Sequence, residues 1–376
     1  MVSPIVSTCL ISFFNTRSGR FKWWDEFPMS LKEQLTDHGV DCHFFYKSRS
    51  PQSIFDKDEI RINPERSGDG SLGDEGWLFD NIWPIMEQYQ QVIIHTHSYH
   101  PPFRFRKLIN KHGSTFWVAT EHRCPISTTS PLTRLYKVHL RRNHTLPDWY
   151  VGVSHATSES IRRRFGKSRV ITIHNGIDLK NAAERKDWSK RKQSESLRYL
   201  FVNRLDKGKG VEVLIDAIPL ILQRNRNFYL TIVGDGPYRN SVEKQLADCA
   251  ASNIRFEGYR SDVEHFYSSH DVVLLPYTRP QGLSLISIEA RSHGLPAIYT
   301  RMGGVTETRD KSNGIAMRDA TPESLARAVE EIERSPTFAQ LIDGCYDGLE
   351  YFGMNRMVRE YAGFYLNLFH KGLSLK

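Results

Sequence analysis

The sequence predicts an α/β protein made of two doubly wound parallel domains in series. Three observations lead there. Short apolar, β-branched runs alternate with longer amphipathic stretches along the chain. A polar, charged segment, Lys180–Ser196, whose large apolar residue is Trp188, interrupts the alternation once and reads as a linker. The length, 376 residues of which 39% are hydrophobic, is enough for two or three domains with cores of their own.

In the first half the expected strands are Ile5–Phe14, Val40–Tyr46, Val92–His95, Phe116–Thr120, Trp149–Val153 and Val170–Ile173, with helices such as Pro28–His38 and Thr157–Phe165 between them. After the linker the strands are Tyr199–Val202, Tyr229–Val233, Ile254–Phe256, Val272–Leu275, Ala297–Thr300 and Gly314–Ala316. The helices are Val211–Arg224, Tyr238–Ala251, Ser287–Ser292 and Thr321–Ile332. An aromatic, amphipathic stretch, Met357–Phe369, is expected as a terminal helix. The division that follows is 1–180, a linker at 181–196, a second domain at 197–350 and a closing helical segment at 351–376. Ligands of such sheets bind at the carboxyl ends of the strands, where the strand order reverses. Two such edges facing one another would make a deep cleft.

Composition excludes several classes. No window of about 18 apolar residues exists, which argues against a membrane-spanning helix. Ile5–Phe14 is short and lacks a preceding basic residue, so it reads as a buried strand and not as a signal peptide. Five widely spaced cysteines without a C-x-x-C argue against a disulfide scaffold or a zinc site and fit a reducing cytosol. Net charge is +8, and it is uneven: residues 101–180 carry 15 Lys and Arg against 4 Asp and Glu. Within that stretch, Pro131–Asn143 sets Arg134, Lys137, Arg141 and Arg142 beside Leu132, Leu135, Tyr136 and Leu140. It fits an anionic membrane surface, another anionic partner or a plain solvated face. No nucleic-acid-binding module is visible.

Six motifs carry chemical content. Asn203-Arg204-Leu205-Asp206-Lys207-Gly208-Lys209-Gly210 follows a strand and opens a helix, so Arg204, Lys209 and the helix amides could converge on a pyrophosphate. An ordinary exposed loop fits the same residues. Val233-Gly234-Asp235-Gly236-Pro237 has Arg239 where a dinucleotide fingerprint needs its third glycine, which leaves a close ligand approach or a tight turn. In Gln281-Gly282-Leu283-Ser284-Leu285-Ile286-Ser287-Ile288-Glu289, the amides of Leu283, Ser284 and Leu285 could meet an anion. Glu289 could grip a vicinal diol or simply complement the helix dipole. His293-Gly294-Leu295-Pro296 and Gly303-Gly304-Val305-Thr306-Glu307 read mainly as structural signals. Val153-Ser154 and Asn175-Gly176-Ile177-Asp178 read as strand-end turns. His95, His97, His100 and His122 lack the spacing of a metal site. His122 follows a strand at an edge where a ligand would sit.

Taken together and in order, these motifs resemble retaining GT-B glycosyltransferases, in particular glycosyltransferase family 4. The likeness rests on Arg204 with Lys209, Gly234-Asp235-Gly236-Pro237, Gly258-Tyr259-Arg260-Ser261-Asp262, the Gln281…Glu289 block, Gly303-Gly304…Glu307, Asn313-Gly314, Val153-Ser154 and Asn175-Gly176-Ile177-Asp178. It is good from about residue 150 to 332 and thin over 1–90. The resemblance implies two facing Rossmann-like domains, with a C-terminal helix crossing back to the first. Arg204 and Lys209 would hold the donor diphosphate, supported by amides at Leu283, Ser284 and Leu285. Glu289 would bind the ribose, and Arg260 and Gly234 would line the nucleoside pocket. His122 would stand beside the transferred sugar, with His97, Ser18 and Gly19 on the acceptor side. The family places a glutamate where this chain has Gln281, which exchanges a charge for an amide that both donates and accepts. The glycine-rich loop usual near the first strand is reduced to Ser18-Gly19-Arg20.

The expected activity is sugar transfer from a nucleoside diphosphate, UDP ahead of GDP-mannose, to a hydroxyl of a glycan, lipid-linked or small-molecule acceptor. It is expected to retain the anomeric configuration, to need no metal or other cofactor, and to work in the cytoplasm or at the inner membrane face. A non-catalytic glycan- or nucleotide-binding relative and a nucleotide-sugar epimerase are the alternatives.

Overall fold

Short, near-continuous apolar runs such as Val272–Leu275 bury both faces of a strand, which is what an all-parallel sheet between helix layers requires. The computed structural model describes residues 7–18, 23–49, 60–62, 80–97, 105–124, 146–165, 169–179, 196–249 and 252–374. It divides into two units: Met1–Asn175 with Met354–Lys376, and Gly176–Gly353.

In the first unit seven parallel strands run in the order β3-β2-β1-β4-β5-β6-β7. They are β1 (Thr8–Ser18), β2 (Val40–Arg49), β3 (Ile60–Ile62), β4 (Gln91–His97), β5 (Thr115–Glu121), β6 (Trp149–Gly152) and β7 (Val170–Thr172). The helices are α1 (Trp23–Thr36), α2 (Trp83–Met86), α3 (Phe105–Lys111), α4 (His155–Phe165) and the long α11 (Met354–Ser374). One sheet face, with Leu10, Ile93, Val118 and Val151, packs on Phe27, Leu31 and Leu35 of α1 and on Met357, Val358, Tyr361, Tyr365 and Leu368 of α11. The 3–4 spacing of those α11 residues is the stripe that makes it a core helix. The opposite face, with Cys9, Ile11, Phe13, Val92 and Ile94, packs on Ile85, Met86 and Ile109. The order of the strands reverses between β1 and β4, so their carboxyl ends flank the switch point.

In the second unit six parallel strands run β10-β9-β8-β11-β12-β13. They are β8 (Arg198–Val202), β9 (Tyr229–Val233), β10 (Ile254–Gly258), β11 (Val272–Leu275), β12 (Ala297–Tyr299) and β13 (Gly314–Ala316). The helices are α5 (Val211–Arg224), α6 (Arg239–Cys249), α7 (Val263–Ser269), α8 (Leu285–Ser292), α9 (Pro322–Glu333) and α10 (Phe338–Tyr346). One face of this sheet packs on α5 and α9 through Leu214, Ile218, Leu325 and Val329. The other packs on Phe266 and Tyr267 of α7 and Ala290 of α8. Here the switch point lies between β8 and β11.

Several expected boundaries move. The first strand runs on to Ser18, with an irregularity in its pairing to β2 between Phe14 and Arg17. Ser18 therefore ends a strand instead of lying in a loop. The helix expected from Pro28 begins at Trp23 and carries that proline inside it. His97 belongs to β4 itself, because the strand continues two residues past His95. Gly19, the basic stretch 131–143 and residues 180–195 of the polar segment lie outside the described residues. Among the described residues, no helix is long and apolar enough to cross a membrane.

Candidate active site

The residues singled out in the sequence fall into two groups, one in each unit. In the second unit the loop between β8 and α5 is stitched to the segment that leaves β11. Gly208 and Gly210 take positive φ values, +89° and +85°. A side chain at Gly210 would meet the Pro276 carbonyl oxygen at 2.1 Å, so glycine is what lets the two loops touch. The Gly208 N–H (3.3 Å) and the Thr278 hydroxyl (2.7 Å) both donate to Glu212 Oε1. The Thr278 N–H donates back to the Gly208 carbonyl at 3.3 Å.

That stitching sets Lys209 against Gln281. The Lys209 ammonium donates to Gln281 Oε1 at 2.6 Å and lies 5.8 Å from the centre of the Tyr277 ring. The Gln281 amide nitrogen donates to the carbonyls of Arg279 (2.8 Å) and Gly208 (3.3 Å). Its backbone carbonyl accepts from the Gly304 N–H at 2.9 Å. Gly303, at φ +60°, allows this approach, since a side chain there would sit 2.3 Å from the Gln281 carbonyl oxygen. Arg204 is exposed and pairs with Asp206 at 2.6 Å. A surface pair of this kind is worth little and costs little to open for a ligand.

At the start of α8, Ser284 accepts from the Ser287 N–H and so caps the helix. Its hydroxyl also bonds Tyr277 Oη at 2.8 Å. Leu283 and Ser284 are buried and Leu285 is half-buried. The helix is held from beneath by a buried guanidinium. Arg309 donates to Ser287 Oγ (2.9 Å), the Ser287 carbonyl (2.8 Å) and the Leu295 carbonyl (3.0 Å). Burial pushes its pKa down to about 10, so it remains a cation at neutral pH. One turn into α8, Glu289 Oε2 accepts a hydrogen bond from Tyr267 Oη at 2.8 Å. Burial pushes the Glu289 carboxyl up, and the bond from Tyr267 opposes that shift.

Gly234 and Arg260, the residues expected at the nucleoside pocket, both have defined neighbours. A side chain at Gly234 would come within 1.8 Å of the Asn203 carbonyl oxygen, and one at Gly236 within 2.5 Å of that of Leu205. The space beside both glycines is taken by the backbone of the loop after β8. They seat that loop on the end of β9. Arg260 is held in a fork by Asp262 (2.9 and 2.7 Å) above the Phe266 ring. The resemblance did not point to Tyr267, Tyr277, Glu212 or Arg309. Their signal would have been a buried polar residue on an element with few others, which is visible only once the element is known.

In the first unit, His97 closes β4 and His122 directly follows β5. His97 Nδ1 and His122 Nε2 are 3.1 Å apart, with one donating to the other. His97 is buried and stacks on Phe14, with ring centres 4.5 Å apart. It backs His122 from the buried side. Behind it, His95 Nε2 bonds Thr120 Oγ1 (2.7 Å) and its Nδ1 bonds Tyr365 Oη (2.5 Å), tying β4 and β5 to α11. Burial pulls His95 and His122 down to about 3 and His97 well below its ordinary value. The set is neutral at physiological pH. Ser154 caps α4 by accepting from the Thr157 N–H at 3.0 Å, and the Ile177 N–H donates to the Phe352 carbonyl at 2.9 Å. Both turns are structural, as their sequence suggests.

Residues 29–181 match the family model Glycosyltransferase Family 4, and residues 196–334 match Glycosyl transferases group 1. The chain carries a glycosyltransferase family 4 domain followed by a glycosyl transferases group 1 domain. The family's fold is shared over nearly the whole length by solved structures. A glycosyltransferase of Rickettsia africae superposes with a TM-score of 0.75 at 18% identity, covering 97% of this chain and 99% of that one. Anabaena HepE in complex with UDP gives 0.72 at 16%, covering 96% and 100%. Among curated relatives, a GDP-mannose-dependent alpha-(1-6)-phosphatidylinositol dimannoside mannosyltransferase of Mycobacterium tuberculosis is 29% identical over 180 residues, 46% of each chain. The chain spans about half the length of the curated relatives it matches first.

Proposed function

We propose that this protein transfers a sugar from a nucleoside diphosphate to an acceptor hydroxyl, and that the second unit binds the donor. The observation that carries the reading is the placement, after the carboxyl ends of β8 and β11, of Arg204 and Lys209, a capped helix start and a carboxylate one turn further along that helix, with Lys209 bonded across the two loops to Gln281. A diphosphate suits the first two and a ribose suits the third. Arg204 and Lys209 offset the charge that develops on the leaving diphosphate, aided by the main chain at Leu283–Leu285. This leaves the step no need of a metal ion. Glu289 accepts from the ribose hydroxyls.

The bond from the anomeric carbon to the diphosphate oxygen breaks as the acceptor oxygen bonds to that carbon from the same face. The acceptor proton passes to the departing diphosphate, and the configuration is retained. Neutral His122 offers a hydrogen bond to the sugar without charge, backed by His97. The donor is a UDP-sugar or GDP-mannose: HepE is a fold neighbour bound to UDP, and the mycobacterial relatives are named for GDP-mannose. Glycolipids and glycans are the acceptor class, in line with the phosphatidylinositol mannosides named for those relatives. The test is release of UDP or GDP from a panel of nucleotide-sugars, with and without lipid and glycan acceptors and with a chelator present. Acceptor-dependent release is expected. Conversion of the donor sugar without acceptor would replace the reading with an epimerase, and binding without turnover with a non-catalytic relative.

A further inference from the structure

We propose that Tyr267 is a positioning residue for nucleotide recognition, presenting the Glu289 carboxylate to the ribose of the donor. The proposal rests on the reading that the second unit binds a nucleoside diphosphate. Tyr267 is 1% exposed and lies on α7 within the apolar layer formed by Leu200, Val202, Val273 and Ala290. Its hydroxyl crosses that layer to reach a single oxygen of Glu289, Oε2, at 2.8 Å. A carboxylate against an apolar layer can rotate, and it also tends to take up a proton. One fixed donor opposes both. It holds the carboxylate plane, and it favours the ionised form, which can accept from two adjacent hydroxyls.

The surroundings of Glu289 supply no other anchor of that kind. Glu264, on the same helix as Tyr267, pushes the carboxyl up. His293 bonds the Glu289 backbone carbonyl through Nδ1 at 3.0 Å, and its ring lies 5.5 Å from that of Tyr267. Tyr277 is engaged with Ser284. Arg309 acts on Tyr267 and Tyr277 through its charge and spends its donors on Ser287 and backbone carbonyls. Among the described residues, Tyr267 is thus the one side chain that donates to the Glu289 carboxylate.

The experiment is calorimetric titration of the native chain, Tyr267→Phe and Glu289→Gln with UDP and GDP, and with the 2′,3′-dideoxy form of whichever binds. If Tyr267 acts through Glu289 on the ribose, Tyr267→Phe loses about tenfold in affinity for the ribonucleotide and less than twofold for the dideoxy ligand. The double variant loses no more than Glu289→Gln alone. The pH at which ribonucleotide affinity falls on acidification also rises in Tyr267→Phe, because the ionised carboxylate has lost its donor. A Tyr267→Phe loss equal for both ligands would mean that the residue only supports the fold, and an unchanged affinity would mean that it does nothing here. Either overturns the proposal. A native chain that binds nucleotide but ignores the ribose hydroxyls would overturn it through Glu289. A native chain that binds neither nucleotide would instead overturn the donor-site reading beneath it.

Discussion

His95 offers a sharp test of the buried network that ties α11 to the first unit's sheet. It is wholly buried, bonded on both ring nitrogens, and pulled from 6.5 to about 3 by burial. Between those two values the unfolded chain holds a proton on this ring that the folded chain does not. Stability therefore falls as pH falls through that window. At pH ~5 the loss from this residue is about 2 kcal/mol relative to pH ~7.5, from 1.36 kcal/mol per unit over about 1.5 units. His97 adds a loss of the same sign, and partly exposed His122 a smaller one.

The assay is urea unfolding at the two pH values, followed by tryptophan fluorescence. Five of the seven tryptophans, Trp23, Trp24, Trp83, Trp117 and Trp149, lie among the described residues of the first unit, so the signal reports mainly on it. His95→Gln removes the titrating ring while keeping two polar groups near Thr120 and Tyr365. The variant should be less stable at pH ~7.5, by about 1–3 kcal/mol for the disturbed buried bonds. Its stability should fall by about 2 kcal/mol less than the native chain's on going to pH ~5. An unchanged pH dependence would mean that His95 titrates normally in the folded protein, and the network as described would be wrong.

Other expectations concern the second unit. Arg204→Ala and Lys209→Ala should each weaken nucleoside diphosphate binding about tenfold to a hundredfold, read by calorimetry, with little effect on the nucleoside alone. Gly234→Ala should act on stability before affinity. The new side chain meets the Asn203 carbonyl at φ +141°, and a loss of about 1–3 kcal/mol in the melting of this unit is expected. Gln281→Glu should lower donor turnover instead of raising it. The new carboxylate loses both N–H donors and sets an oxygen against the Arg279 and Gly208 carbonyls, and steady-state kinetics with each donor would show it.

Much of the architecture was legible because parallel strands buried on both faces leave continuous apolar runs. β8, β9, β11 and β13 lie where those runs fall, to within a residue. What escaped has a physical cause. β3, α2, α3 and α7 are short, and elements of that length form because a neighbouring layer takes their one or two apolar residues, not because local preference sustains them. Val263–Ser269 shows the cost of missing one: without α7 there is no Tyr267, and without Tyr267 the setting of Glu289 is invisible. Glycines were ambiguous for another reason. A glycine that clears space for a ligand and one that clears space for a neighbouring carbonyl look alike until the neighbour is placed, as Gly234 and Asn203 show. The basic loop residues and the α8 start were readable, since their spacing from a strand end is fixed by the fold.

The proposed donor site requires the loops after β8 and β11 to grip a nucleoside diphosphate. Its most direct measurement is titration of UDP and of GDP into the native chain and into the double variant Arg204→Ala, Lys209→Ala, without added metal. The account predicts binding of at least one nucleotide to the native chain and a loss of a hundredfold or more in the double variant. A native chain that binds neither, or a double variant that binds as tightly as the native chain, would contradict it.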